Sequence, residues 1–302
     1  VTVQQEPLSS APVSSAADNR RAPGGPRALD MFWRTIAFVL LAIVGGLILF
    51  PAVWMLSTAL KADTQVYANP PIWIPNPLRW DNFVQAWTQA PFTRYTINTT
   101  LYAIAVVIGT ILSCSLAAYG FAKLRFPGRD ALFTVLLATM MIPGMVTLIP
   151  QYILFSRIHW VGTYLPLVVP SYFAGAFFTF LIRQHYLSVP NELSEAARVD
   201  GATEFWIWRK VMLPLSKPVI ATVAIFTFEG AWESYVGPLL YLNDERLYTL
   251  QVGLQFFRTQ SQVQWQFLMA ASLLVMLPVI VIFFLFQRYF VQGSALNGAV
   301  KG

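Results

Sequence analysis

Apolar positions in this chain come in long unbroken runs, not in the alternation or the 3.6-residue stripes of half-buried soluble elements. Windows free of Asp, Glu, Lys and Arg cover 35–60, 95–122, 131–156 and 158–182. A fifth window, 218–243, is interrupted by Glu229 and Glu233, and a sixth, 259–287, has its apolar part near 267–286. About 20 apolar residues in helix cross about 30 Å of hydrocarbon. The pattern therefore predicts an all-α integral membrane protein of six transmembrane helices, with cores near 34–57, 97–121, 131–154, 164–185, 218–240 and 267–288. Pro51, Pro143, Pro150, Pro166, Pro170, Pro238 and Pro278 fall inside these cores. They are expected to kink the spans without ending them, because neighbouring helices satisfy the freed backbone groups.

Composition narrows the class. The chain is 56% hydrophobic and only 11% charged, with a mean hydropathy of +0.56; a soluble domain carries about 25% charged residues. The net charge of +6 reads as topology. With the N-terminus in the cytoplasm, 14 of the 20 Lys and Arg fall on the inner side, as the positive-inside rule requires. Both termini are then cytoplasmic, and nucleic acid is not an expected partner. The single Cys114 excludes an intrachain disulfide or a cysteine-cluster metal site. Residues 1–30, rich in Ser, Ala, Pro and Gly, read as a disordered cytoplasmic tail ahead of a transmembrane domain over 31–302. Between the first two spans, 69–77 is proline-rich and is followed by Trp80 and Trp87. That loop suits a bilayer surface or a docking surface equally. The Gln-rich 251–266 reads as a polar outer loop.

One stretch stands apart. From Glu192 to Lys217 there are eight charged residues, in a chain with 34 in all. Pro190 is suited to the first position of a helix, with Glu192 near the positive end of its dipole and Glu195 three residues from Arg198, close enough to pair. Leu193, Ala196 and Ala197 share a face, and Gly201 offers the positive φ that ends a helix. Thr203 is placed to cap a second, strongly apolar helix over Phe205, Trp206, Trp208 and Val211 to Leu213, closed by Pro214 and Pro218. Physics alone allows two readings of this helix–glycine turn–helix, an amphipathic connector or a docking knob whose small face admits a soluble partner.

Glu195-Ala196-Ala197, three residues, Gly201, nine residues and Val211-Met212-Leu213-Pro214 resemble the EAA loop of permease subunits of ATP-binding-cassette importers, with Val211 where Ile is usual. Thr249 to Leu254, Trp265, Ala270, Pro278-Val279, Gln287 to Gly293 and the ending Gly298 to Gly302 are similar to carbohydrate-importer permeases of the maltose and glycerol-3-phosphate type. Ser294 to Asn297 departs from the Thr-Ala-Gly-like run usual there. The likeness extends over about 32–302.

The resemblance implies the type I importer permease architecture, with a coupling loop at about 188–217, in the cell membrane of a prokaryote. It implies as partners a second permease subunit, two copies of an ABC ATPase subunit and an extracytoplasmic solute-binding protein, with a carbohydrate as substrate. Glu195, Ala196, Ala197, Asp200, Gly201 and Pro214 would form the ATPase-coupling surface. The chain has no Gly-x-x-x-x-Gly-Lys-Ser/Thr, so ATP and Mg belong to the partner ATPase; the chain itself is expected to be no enzyme and to bind no cofactor or metal.

Candidates for a translocation path are Glu229 and Glu233 with Trp232, Tyr235 and Tyr172. A charged group in a span costs about 2.5–3.5 kcal/mol on insertion scales, and carboxylates beside aromatic rings suit hydroxyl-rich ligands. Packing against a second permease explains the same residues equally well. Tyr172, with Ser171 and Thr179 on the fourth span, is a weaker candidate, as are Asn98 and Thr99 at the outer end of the second. The rival class is a secondary, ion-coupled transporter of small polar solutes, which would show inverted repeats; no duplicated segment is present.

Overall fold

The computed structural model describes residues 27–258 and 263–298, with side chains at 31–258 and 263–286. Residues 1–26 of the expected tail, and 299–302 of the C-terminal signature, lie outside the described residues. The described residues are mostly helical, joined by turns and an irregular segment over 67–80, with one isolated bridge between Arg258 and Val263. The described residues fall into two compact units that divide after Ala52.

In the first unit, helix α1 (Arg27–Ala59) begins at Arg27. Between Met31 and Pro51 its apolar side chains are exposed nearly all round, Phe38 and Leu41 among them. A helix without a polar face is a membrane helix.

The second unit begins near the end of α1. It continues through a short amphipathic helix, α2 (Asp81–Gln89), to the long helix α3 (Phe92–Lys123). Asn82, buried on α2, donates through Nδ2 to the carbonyls of Ala59 and Lys61, 2.8 Å each. Lys61 is itself buried against the Trp54 ring, 4.2 Å from its centroid. Burial pushes its ammonium below the usual lysine value.

Helix α3 runs through the whole unit. Phe92, Tyr95, Thr99, Tyr102, Ala103, Thr110, Cys114, Ala118 and Tyr119 are buried along it, a stripe at spacings of three and four. Its first turns pack with Phe257, Ala270 and Ala271, its middle with Ala231, and its last turns with Ile182, Tyr186, Ile207 and Trp208.

Among the described residues four helices are long and apolar enough to cross a membrane: Met31–Ala59, Phe92–Lys123, Leu165–Ser188 and Trp265–Phe286. Two bent pairs bring the count to as many as six. Three of the expected spans are interrupted. The third breaks at Ile142-Pro143 into α4 (Arg129–Ala138), extended by a 3₁₀ turn, and α5 (Gly144–Arg157), bent by 99°. Ile142 is extended, with φ −84° and ψ 114°, as proline imposes on the residue before it. The fourth passes through a 3₁₀ turn at Val169–Tyr172, containing Pro170, before α6 (Ala176–Ser188). The fifth, expected continuous over 218–240, ends as a helix at Trp232 and resumes only at Val236–Tyr241. The 251–266 segment is no loose polar loop. Its described part is helical over Leu250–Gly253 and Leu254–Phe257, with Leu250, Val252, Leu254 and Phe257 buried. The last helix runs Trp265–Gly298.

Candidate functional site

The charged stretch folds as helix, turn and helix. Helix α7 (Asn191–Val199) starts one residue later than expected, with Pro190 in the capping position. At its end Asp200 N–H donates to Ala196 O, Gly201 N–H to Arg198 O and Ala202 N–H to Ala197 O, at 2.9–3.0 Å. Gly201 takes φ +82°, which lets these donors satisfy the last carbonyls of the helix. Thr203 Oγ1 accepts from Trp206 N–H at 3.3 Å and caps helix α8 (Glu204–Ile207). The helix widens by one π turn at Trp208–Met212 and runs on to Leu215, with Pro214 exposed in its last turn. Helix α9 (Lys217–Trp232) then leaves at 83°.

This unit has two faces. Ile207, Trp208 and Met212 are buried with Cys114, Ala118, Tyr119, Ile182 and Tyr186. On the other face Leu193, Val199, Phe205 and Trp206 stay exposed. Leu193, Ala196, Ala197, Asp200, Gly201 and Trp206 line an open groove of about 610 Å³. Nothing lies within 4 Å of where a Gly201 side chain would start. The structure thus brings five of the six expected loop residues into one region, with four lining the groove. Glu195 projects to the opposite side of α7, and Pro214 stands apart in the second helix.

The expected Glu195–Arg198 pair does not form. Arg198 turns to Glu204 across the glycine turn, Nε donating to Oε1 at 2.6 Å and Nη2 to Oε2 at 3.2 Å. Two hydrogen bonds in fork geometry outweigh a single i,i+3 contact. The guanidinium holds the Glu204 carboxyl below its ordinary range. Tyr119 of α3 donates its hydroxyl to the same carboxylate. One turn on, Lys123 Nζ donates to Val189 O and to Asn191 Oδ1, 2.7 Å each. Tyr119 and Lys123 are therefore the residues that fix this unit to α3. The 85-residue separation between Tyr119 and Glu204 left no local signal of it; four-residue spacing of two hydrogen-bonding side chains at the end of an apolar run was the only cue.

The structure places the candidates for a path in different surroundings. Glu229 is half-buried on α9, while Glu233 lies just past its end, exposed, its N–H donating to Glu229 O at 2.9 Å. Trp232 is a packing residue, 3% exposed, its Nε1 donating to Val275 O at 3.0 Å. With Glu233, Gln251 and Ser272 it bounds a cavity of about 190 Å³. Tyr235 is half-buried in the break between helices. Tyr172 packs elsewhere, over Gly109 of α3, where a Cβ would overlap its ring.

Asn98 and Thr99 have structural duties. Asn98 Nδ2 donates to Arg246 O and Tyr248 O at 2.9 and 3.0 Å, and Thr99 Oγ1 accepts from Leu250 N–H at 2.9 Å. With Tyr95 O–H on Glu245 Oε1 at 3.0 Å, they bind the 244–250 segment to the N-terminal end of α3.

The fold and this site define a polytopic helical membrane protein that carries an exposed groove of small residues on an amphipathic helix–turn–helix. The chain belongs to the family of binding-protein-dependent transport system inner membrane components, whose pattern matches residues 105–295. It is 31% identical over 282 residues to a probable ABC transporter permease, YurM of Bacillus subtilis, covering 92% of each chain. It is 32% identical to the arabinooligosaccharides transport system permease AraQ of Halalkalibacterium halodurans, over 89% of this chain and 95% of the other. To the sn-glycerol-3-phosphate transport system permease UgpE of Yersinia enterocolitica it is 34% identical, over 88% and 96%. Its fold matches a chain of a bacterial ABC transporter that imports alginate, with TM-score 0.79 at 22% identity, over 89% of this chain and 100% of that one.

Proposed function

We propose that the chain is the permease subunit of an ATP-driven importer for a carbohydrate or its phosphate, delivered by an extracytoplasmic solute-binding protein. It works beside a second permease and two ATPase subunits, hydrolyses no ATP itself and binds no cofactor. Both termini and the helix–turn–helix face the cytoplasm, in keeping with the distribution of Lys and Arg. The names of AraQ and UgpE support the substrate class.

One observation carries the reading: the open groove around Gly201, on a loop of EAA spacing, in a chain without a phosphate-binding loop. Ala196, Ala197 and Gly201 are small, so a partner's backbone can approach, and exposed Leu193 and Trp206 supply apolar area. Closure of the ATPase subunits draws this loop with them. The bonds from Tyr119 and Lys123 pass the displacement to α3 as a rigid body, the kind of amplification packed elements allow. At the other end of α3, the 244–250 segment moves with it. In this reading Glu233, exposed beside the small cavity, faces the path, and Trp232 supports it from the packed side.

The test is Gly201→Asp. An Asp strains the φ of +82° and puts a carboxylate into the groove. The variant should insert normally while ATP-dependent uptake falls by about 100-fold, the loss expected when an interface of about 2–3 kcal/mol is abolished. Uptake at the wild-type rate would contradict the assignment, and uptake surviving ATP depletion under a proton gradient would point to an ion-coupled carrier.

A further inference from the structure

The proline-rich stretch 69–77, which coupling to an ATPase leaves unused, is fixed to the last turns of α1. Trp73 sets its ring edge-on to that of Trp54, with 5.0 Å between centroids, and its carbonyl accepts from Ser57 Oγ at 2.6 Å. Gln65 Nε2 donates to Asn76 O at 2.7 Å, and Pro75 is buried. The tip held by these ties stands clear of the protein: Trp73 is 57% exposed and Ile74 84%.

The ties set a level along the helix. Trp54 precedes the end of α1 at Ala59 by five residues, about 7.5 Å at 1.5 Å each. The helix is still apolar and exposed there, through Val53 and Leu56. Trp73 and Ile74 therefore lie level with the last exposed apolar turns of a membrane-crossing helix. That is where hydrocarbon gives way to the head-group layer, roughly 5–8 Å thick on each side.

Two further features favour a bilayer over a soluble protein as the cover of this tip. No Asp, Glu, Lys or Arg occurs from Thr64 to Leu78. The cations that border the stretch are engaged, Lys61 against the Trp54 ring and Arg79 with Asp81 at 2.7 Å. A docking surface for a water-soluble protein carries a polar rim. The backbone is also short of groups that need water. Pro70, Pro71, Pro75 and Pro77 have no N–H, and side chains meet the carbonyls of Trp73 and Asn76. Backbone that enters the edge of a membrane needs that kind of internal satisfaction.

We propose that the tip Trp73-Ile74 seats in the interfacial layer of the bilayer, against lipid ester groups and the first methylenes of the acyl chains. Tryptophan favours that layer. That the leaflet is the outer one rests on the orientation proposed above; the insertion itself does not depend on transport, so a failure of either is seen separately.

The experiment places an environment-sensitive fluorophore on Ile74→Cys in the full-length chain carrying Cys114→Ala, in phosphatidylcholine nanodiscs, which leave both membrane faces open to quenchers. Leu41→Cys, within α1, and Val199→Cys, exposed beside the groove, are the references for lipid and for water. Because Ile74 is itself so exposed, the substitution leaves packing intact. The expected result is emission at 74 shifted to the blue of that at 199, with strong quenching by a nitroxide on the lipid head group and loss of quenching by aqueous iodide. Emission and iodide quenching at 74 matching those at 199 would overturn the proposal. So would lipid quenching at 74 that disappears when the complex is assembled with the second permease or when the solute-binding protein is added, which would assign the tip to that protein.

Discussion

Glu204 caps nothing with its own side chain, yet three elements meet at it. Arg198 reaches it from α7, Tyr119 reaches it from α3, and it opens α8 itself. Glu204→Gln keeps a hydrogen-bond acceptor but removes the charge. Both partners of the ion pair are more than a third exposed, so the stability lost should be small, about 0.2–1 kcal/mol, while the coupling of hydrolysis to uptake should fall severalfold. The pH dependence follows from a carboxyl held below its ordinary range. Its contribution is present above the unfolded glutamate value of about 4.3 and is lost as pH falls through the lower folded value. Melting curves of wild type and Glu204→Gln should therefore differ at neutral pH and converge in acid; a gap unchanged down to strong acid would contradict this. Gly201 and Thr203 were legible in the sequence, because a positive φ and a cap are decided by three or four neighbours. The partner of Arg198 was not. Helical spacing pointed to Glu195, and only the reversal of the chain at Gly201 brings Glu204 closer.

At the scale of elements, length and apolarity made the spans legible, since 20 or more apolar residues have few other uses. The breaks were not. Pro51, Pro150 and Pro278 lie within continuous helices, whereas Pro143 accompanies a 99° bend. Proline content alone does not separate these cases, because the outcome depends on which neighbours satisfy the freed carbonyls. The close approach of Gly253 to α3 was equally hidden. A Cβ there would overlap the Tyr95 ring, itself buried and bonded to Glu245. Gly253→Ala should cost about 1–3 kcal/mol through overpacking, whereas Gly144→Ala, with open space around it, should cost little. Melting temperatures of the two variants in one detergent check this. Equal values would mean that the 250–257 segment is free to shift.

At the largest scale, that of the whole unit 53–302, α3 is the element that ties one end to the other. Its 32 residues rise about 48 Å at 1.5 Å each, more than the roughly 30 Å of a hydrocarbon core. Tyr95, Asn98 and Thr99 hold the 244–250 segment at one end; Tyr119 and Lys123 hold the helix–turn–helix at the other. A sequence without an alignment shows neither set of contacts, because each joins residues far apart in the chain. The functional class was legible all the same, through the spacing from Glu195 to Pro214. The account stands on whether that loop meets an ATPase subunit, and cysteine cross-linking tests this most directly. Cys114, fully buried, is replaced by Ala, and Ala197→Cys is introduced in the groove of the assembled complex. A cross-linked product of this chain with the ATPase subunit, its yield changing when nucleotide is added, is the predicted result. An assembled, transporting complex in which Ala197→Cys reacts freely with maleimide and never joins the ATPase would contradict it.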